Sequence, residues 1–264
     1  MSNLSGNRIE ELAEILRTAE TDRIGAEPLT AIESALSVKD AYQIQLVNIQ
    51  RKIREGQYVT GKKIGLTSIA MQKLLGVDQP DYGHLLSSMV YANRSEISVA
   101  KLMQPKIEAE IAFVLKRDLV GPKVTPLDVL LATEYITPAF EIVDSRIADW
   151  KIKLADTVAD NASSGLYLLG EKKFQVDEID LANLGMALYK NGELMNTGVG
   201  AAALGHPANC VAWLANKLHE FGITLNAGEV ILSGALSAAV NVESGDHVVA
   251  RFAHIGEVNV RFVE

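Results

Sequence analysis

The apolar pattern of this chain changes period near residue 58, and no other feature constrains the fold as strongly. Up to Gly56 the spacing is helical. Asn7 followed by Glu10 resembles a capping box, and Ile9, Leu12, Leu16 and Ala19 recur behind it on one helical face. Ser37 is placed to cap a second helix with the stripe Tyr42, Leu46, Ile49 and Ile53, stopped by Gly56. A Gly25/Pro28 connection separates the two. From Val59 the texture becomes short apolar runs broken by Gly, Pro and Asn. These runs predict strands at Ile107–Leu115, Ala139–Val143, Gly185–Tyr189, Val230–Ser233, His247–Phe252 and Val258–Val263. Asn191-Gly192 is a hairpin signal. One later helix is marked by Pro207 near its start, a Val211/Leu214/Leu218/Phe221 stripe and Gly222 at its end.

The pattern predicts an α+β fold, with an N-terminal helical region over 1–58 and a β-rich catalytic body over 59–264. Strands and helices do not alternate regularly, which argues against a Rossmann fold or a TIM barrel. No GxGxxG or P-loop pattern occurs. Composition narrows the function classes. The chain carries 33 Asp+Glu against 25 Lys+Arg, a formal charge of -8, so nucleic acid is not expected as a partner. No apolar run approaches the ~20 residues of a membrane helix, and the polar, acidic N-terminus is unlike a secretory signal. A lone cysteine, Cys210, forms no internal disulfide, and a reducing, cytoplasmic location is expected.

The segment most suggestive of chemistry is Pro105–Phe113, PKIEAEIAF. In a strand Ile107, Ala109, Ile111 and Phe113 face one way, and Glu108, Glu110, Ala112 and Val114 the other. Two glutamates on one face repel unless a cation lies between them, and their face continues apolar. A hard divalent cation would resolve the conflict; an ordinary half-exposed strand with two solvated acids fits the same spacing. Glu141 lies inside the apolar run PAFEIV, where a carboxylate needs a metal or an ion-pair partner such as Arg146 or a lysine. Together Glu108, Glu110 and Glu141 make a three-carboxylate set suited to Mg²⁺ or Mn²⁺.

Lys63, between Gly61 and Gly65, could serve as proton donor beside such a site or be a solvated turn lysine. Asp78 and Asp81, in a turn-rich loop, fit either acid/base work or turn capping. Asp156, Asp160, Asn161 and Ser163 form a polar cluster open to substrate binding or turn capping. The five histidines lack metal-ligand spacing, His206 reads as structural, and Cys210 reads as core.

Six segments resemble the hydratase/decarboxylase group of the fumarylacetoacetate hydrolase superfamily: GKKIGLTS, LGVDQPDYG, QPKIEAEIAF, PAFEIVDSRIADWKIKLADTVADNASSG, GAAALGHP and GEVILSGAL. The resemblance runs through nearly the whole chain. It implies a mixed β-roll, barrel-like body, a homo-oligomer, and a Mg²⁺ or Mn²⁺ ion on Glu108, Glu110 and Glu141. It implies acid/base roles for Lys63 and Asp81. Leu66, Asp160, Ser163 and Ser233 are the substrate-binding candidates, and Leu66 and Leu236 could set substrate width.

The implied substrate is a small 2-hydroxy-dienoate or 2-oxo acid. Within the group the PDYG segment and the ADWKIKLADTVADNASSG stretch resemble 2-hydroxypenta-2,4-dienoate hydratases of aromatic meta-cleavage catabolism. Ser237-Ala238-Ala239-Val240 resembles instead the sister 4-oxalocrotonate decarboxylases, with which these hydratases form complexes. Hydrolytic C–C cleavage would call for a His–Glu pair, and no histidine here sits in an obvious one.

Overall fold

The computed structural model describes residues 4–69, 72–73 and 76–264; Met1–Asn3 and Leu75 of the LGVDQPDYG segment lie outside them. Helix α1 spans Gly6–Asp22, a short α2 spans Leu29–Ile32, and α3 spans Val38–Arg54. The cap of α1 is Ser5, whose hydroxyl accepts the Arg8 amide at 3.3 Å, not Asn7 as the capping-box pattern predicts. The helix starts one turn earlier than its apolar stripe, so Asn7 falls inside it. Ser37 caps α3 as expected, accepting the Asp40 amide at 3.1 Å. The four residues of α2 are too few to register as periodicity.

Two sheets follow. The larger has β2 (Asp81–Leu86), β1 (Val59–Gly65), β10 (Val230–Leu232), β5 (Lys106–Leu115), β6 (Thr133–Val143), β7 (Ser164–Leu169) and β3 (Val90–Tyr91) in that order, with β11 (Val240–Asn241) also on β5. Two pairings, β1–β10 and β3–β7, are parallel and the rest antiparallel. The second sheet runs β4 (Glu96–Ser98), β13 (Gly256–Val263), β12 (His247–Phe252), β8 (Gly185–Lys190), β9 (Glu193–Val199). Among the described residues, helices α4 (Pro126–Ala132), α5 (Leu154–Ala159) and α6 (Pro207–His219) lie between the strands. The α+β expectation is borne out. No helix of the described residues is long and apolar enough to cross a membrane.

Strand β6 starts six residues before the predicted Ala139, because Pro138 reads as a strand break. Pro138 is tolerated because its carbonyl, on the β7 side, accepts Gly170 N–H at 2.7 Å just past the end of β7. On that same side the Gly170 carbonyl accepts the Thr137 hydroxyl at 3.1 Å in place of an N–H from residue 138. The hairpin at Asn191-Gly192 joins β8 to β9, both residues with positive φ (55° and 85°). His206 caps α6, its Nδ1 accepting the Ala208 amide at 3.0 Å, and Cys210 is buried in the core.

The alternation read from β5 separates two cores. Ile107, Ala109, Ile111 and Phe113 join the main core with Leu12 of α1, Tyr42 of α3, Leu214 of α6 and Val258 of β13. Ala112 and Val114 join a smaller core with Ile49, Leu86, Ala139, Tyr167 and Leu232. The face that carries Glu108 and Glu110 is therefore apolar further along.

Candidate active site

The register of the larger sheet concentrates acid at the other end of that face. Glu108 on β5 lies opposite Glu141 on β6, and Glu110 opposite Ala139. One carboxylate oxygen of each of Glu108, Glu110 and Glu141 lies within 4.8 Å of the others. At an effective dielectric of about 20, each pair of charges at that distance repels by about 3 kcal/mol. Glu110 and Glu141 are fully buried and Glu108 is partly exposed.

Lys63 enters from β1, which is joined to β5 through β10. It is buried, with Nζ 3.3 Å from Glu141 Oε1 and 3.9 Å from Asp81 Oδ1, and donates to the Ala162 carbonyl at 3.0 Å. This settles the ion-pair alternative for Glu141: its partner is Lys63, while Arg146 pairs with Asp160. Asp81 opens β2 directly across from Gly65, and its Oδ2 accepts the Thr157 hydroxyl at 2.8 Å. A Cβ at Gly65 would stand 2.4 Å from Asp81 Oδ1, so glycine there makes room for the Lys63–Asp81 couple. Glu110 Oε2 accepts the amide of Gly234 at 2.8 Å, and Gly234 (φ 102°) sits where a Cβ would collide with Thr67. Sequence reasoning missed Thr157 and Gly234, since both act across long separations.

Four carboxylates, counting Asp81, thus act on the Lys63 ammonium. Burial and then repulsion from Glu141 push Glu108 up to about 7. Burial raises Glu110 and Glu141 too, the former further through Glu141 and Glu108, the latter partly offset by Lys63. Burial alone would depress Lys63, but Glu141, Asp81, Glu108 and Glu110 overcome it and raise the ammonium above its ordinary value. Glu110 Oε1, Glu141 Oε2 and Asp81 Oδ1 are buried without a hydrogen-bond partner among the described residues. Unpaired buried oxygens are costly. An all-oxygen set of carboxylates with two such atoms fits a hard divalent cation.

A cleft of about 480 Å³ opens beside Glu108, lined among others by Leu66, Thr67, Lys106, Leu236 and Ser237. Leu66 and Leu236 therefore both line this cleft. The other three candidates are placed differently. Asp160 is buried under Arg146, whose Nε and backbone amide both donate to its carboxylate. The Ser163 hydroxyl reaches Asp160 Oδ2 at 3.4 Å, and the Ser233 hydroxyl donates to the Ile111 carbonyl at 2.8 Å. Asn161, Ala162 and Ser163 all have left-handed φ (54°, 50°, 54°). Each such L-residue costs about 1–2 kcal/mol.

A model of the fumarylacetoacetate (FAA) hydrolase C-terminal region matches residues 61–263, and the chain belongs to the fumarylacetoacetate hydrolase family of enzymes. It is 54% identical over 216 residues to the 2-hydroxypent-2,4-dienoate hydratase of Pseudomonas putida, covering 81% of this chain and 97% of that one. It is 48% identical over 257 residues to the 2-hydroxyhexa-2,4-dienoate hydratase of Comamonas testosteroni, covering 97% and 96%. Among solved structures, 4-oxalocrotonate decarboxylase from Pseudomonas putida G7, complexed with magnesium and adipate, matches with a TM-score of 0.97 and 38% identity over the full length of both chains.

Proposed function

We propose that the chain is a divalent-metal-dependent hydratase that adds water to 2-hydroxypenta-2,4-dienoate (2-oxopent-4-enoate), giving 4-hydroxy-2-oxopentanoate in aromatic meta-cleavage catabolism. The observation that carries the reading is the carboxylate cluster with two unpartnered buried oxygens, beside Lys63 and Asp81 at the edge of an apolar-walled cleft. The hydratase names of relatives at 54% and 48% identity support it.

Glu108, Glu110 and Glu141 would hold Mg²⁺ or Mn²⁺. When bound, the ion supplies Lewis-acid stabilisation of negative charge developing on the 2-oxygen of the substrate. The chain's own groups move the protons. Lys63, kept protonated by the surrounding carboxylates, gives a proton to C5 and recovers one from the 2-hydroxyl, converting the dienol to the conjugated 2-oxo-3-enoate. Asp81 Oδ1, without a hydrogen-bond partner among the described residues, takes the proton of the water that adds at C4 and passes it to C3, and the Thr157 hydroxyl on Oδ2 fixes the carboxylate for that task. Leu66 and Leu236 wall the hydrocarbon end of the substrate and keep bulk water from it.

A second reading, decarboxylation of 4-oxalocrotonate (2-oxohex-3-enedioate), is favoured by the decarboxylase structure at a TM-score of 0.97 and by the Ser237–Val240 stretch. The deciding experiment strips metal with a chelator and supplies each substrate with and without Mg²⁺ or Mn²⁺. Metal-restored loss of dienol absorbance supports the hydratase; CO₂ release from the six-carbon diacid selects the decarboxylase; no dienol turnover with any divalent ion sinks the first reading. The proposal includes a cytoplasmic homo-oligomer that associates with its sister decarboxylase. Size-exclusion chromatography with and without that partner tests the association.

A further inference from the structure

The polar cluster Asp160–Ser163 lies at the site without touching the cleft, and its backbone is the most strained stretch near the chemistry. Three consecutive non-glycine residues, Asn161, Ala162 and Ser163, form one left-handed turn. Such turns persist only where the surroundings fix them. Here Arg146 is the fixing group. Its guanidinium donates to the carbonyls at both ends of the turn, Asp160 and Ser164, the latter at 2.9 Å. It also donates to the Asp144 carbonyl at 2.6 Å and to Asp160 Oδ1. Asn161 ties the turn to β2 through two hydrogen bonds to His84: its Oδ1 accepts the His84 amide at 2.7 Å and its Nδ2 donates to the His84 carbonyl at 2.9 Å.

The turn delivers two groups into the site. The Ala162 carbonyl accepts from Lys63 Nζ at 3.0 Å, and the Ser164 hydroxyl donates to Glu141 Oε1 at 3.4 Å. An ammonium has three protons to place. Ala162 takes one and Glu141 a second, which leaves the third for Asp81 or for substrate. Without the carbonyl, Lys63 would be free to swing wholly onto the carboxylates.

We propose that Arg146 is a positioning residue: by clamping the left-handed turn 161–163 it holds the Ala162 carbonyl against Lys63 and so sets the direction of the Lys63 proton. The role of Lys63 in turnover rests on the hydratase reading; the geometric claim does not. Arg146→Lys keeps the charge but cannot bridge two carbonyls and a carboxylate with a planar fork. In the metal-loaded enzyme it is expected to lower kcat about 100-fold, the scale of a misplaced reacting group. KM and Mn²⁺ affinity, read by electron paramagnetic resonance, should stay within about threefold, because the carboxylates are untouched. A general loss of packing would instead lower metal affinity and thermal stability together, and that outcome overturns the proposal.

Should Arg146→Lys fail to fold, Ala162→Gly serves in its place. Glycine suits the left-handed backbone and keeps the carbonyl, but frees the turn. A melting temperature unchanged or raised, with kcat lowered about tenfold, is expected; full kcat overturns the proposal. If the wild type turns over no dienoate, the hydratase reading fails by itself. A crystal structure of either variant then decides the geometry, since Lys63 Nζ still held at the Ala162 carbonyl would overturn the inference.

Discussion

Lys62 and Lys63 are neighbours on β1 and both are buried, yet they sit in opposite electrostatic worlds. Lys62 points to Glu229, which it meets through both carboxylate oxygens at 2.6 Å, and Asn226 donates to the same oxygens from its amide and side chain. Every acceptor there is used. Burial lowers Lys62, with Glu229 opposing. Lys63, one residue on, faces four carboxylates of which three oxygens find no hydrogen-bond partner among the described residues, and its ammonium is raised. The first arrangement is a closed ion pair that ties β1 to the segment leading into β10. The second is an unbalanced one whose excess negative charge calls for a cation and whose free oxygens can do chemistry.

Removing a cluster carboxylate should separate the two sites most sharply. Glu110→Gln is expected to lower metal-dependent turnover by about 1,000-fold, through loss of several kcal/mol of charge stabilisation. The metal-free protein should melt no lower, because a buried repulsion is relieved; a large drop in melting temperature would show that the cluster is structural. Lys63→Met should lower kcat about 100- to 10,000-fold and destabilise the metal-free chain, with Mg²⁺ restoring part of the melting temperature. Lys62→Met should do the reverse. It leaves Glu229 buried alone and costs about 3–5 kcal/mol of stability, measured by urea denaturation, while folded enzyme keeps its Mn²⁺ affinity.

The pH dependence sharpens the contrast further. Glu108, Glu110 and Glu141 carry raised folded-state values, so the stability they contribute is full below the unfolded value near 4.5 and is lost as pH rises through the folded values, about 7 for Glu108. Metal-free protein should therefore melt progressively lower between about pH 5 and pH 8, and saturating Mg²⁺ should flatten that trend. The smallest effect is expected at Gly65→Ala, whose Cβ crowds Asp81 Oδ1. About a tenfold loss in kcat with little change in melting temperature is predicted.

Part of this contrast is legible in the amino-acid sequence. The two-residue spacing of Glu108 and Glu110 and the apolar setting of Glu141 mark three acids out of 33, because strand alternation is local. Alternation also places Lys62 and Lys63 on opposite faces, but which face meets the acids depends on β10 lying between β1 and β5, a pairing of segments far apart in the chain. The same distance effect hides the Arg146–Asp160 pair, so Asp160 and Ser163 read as ligand contacts. The left-handed turn is invisible for another reason: it contains no glycine.

The order of strands also sets a timetable. β10 is the slat between Lys63 and the glutamate strand, and the amide of Gly234 directly after it grips Glu110. A chain growing from its N-terminus holds Lys63, Asp81 and all three glutamates long before it holds residues 230–234. The acid cluster therefore cannot close until those residues are made, and a contact of such long range is slow to form. This enzyme becomes competent only after residues 230–234 have joined the sheet.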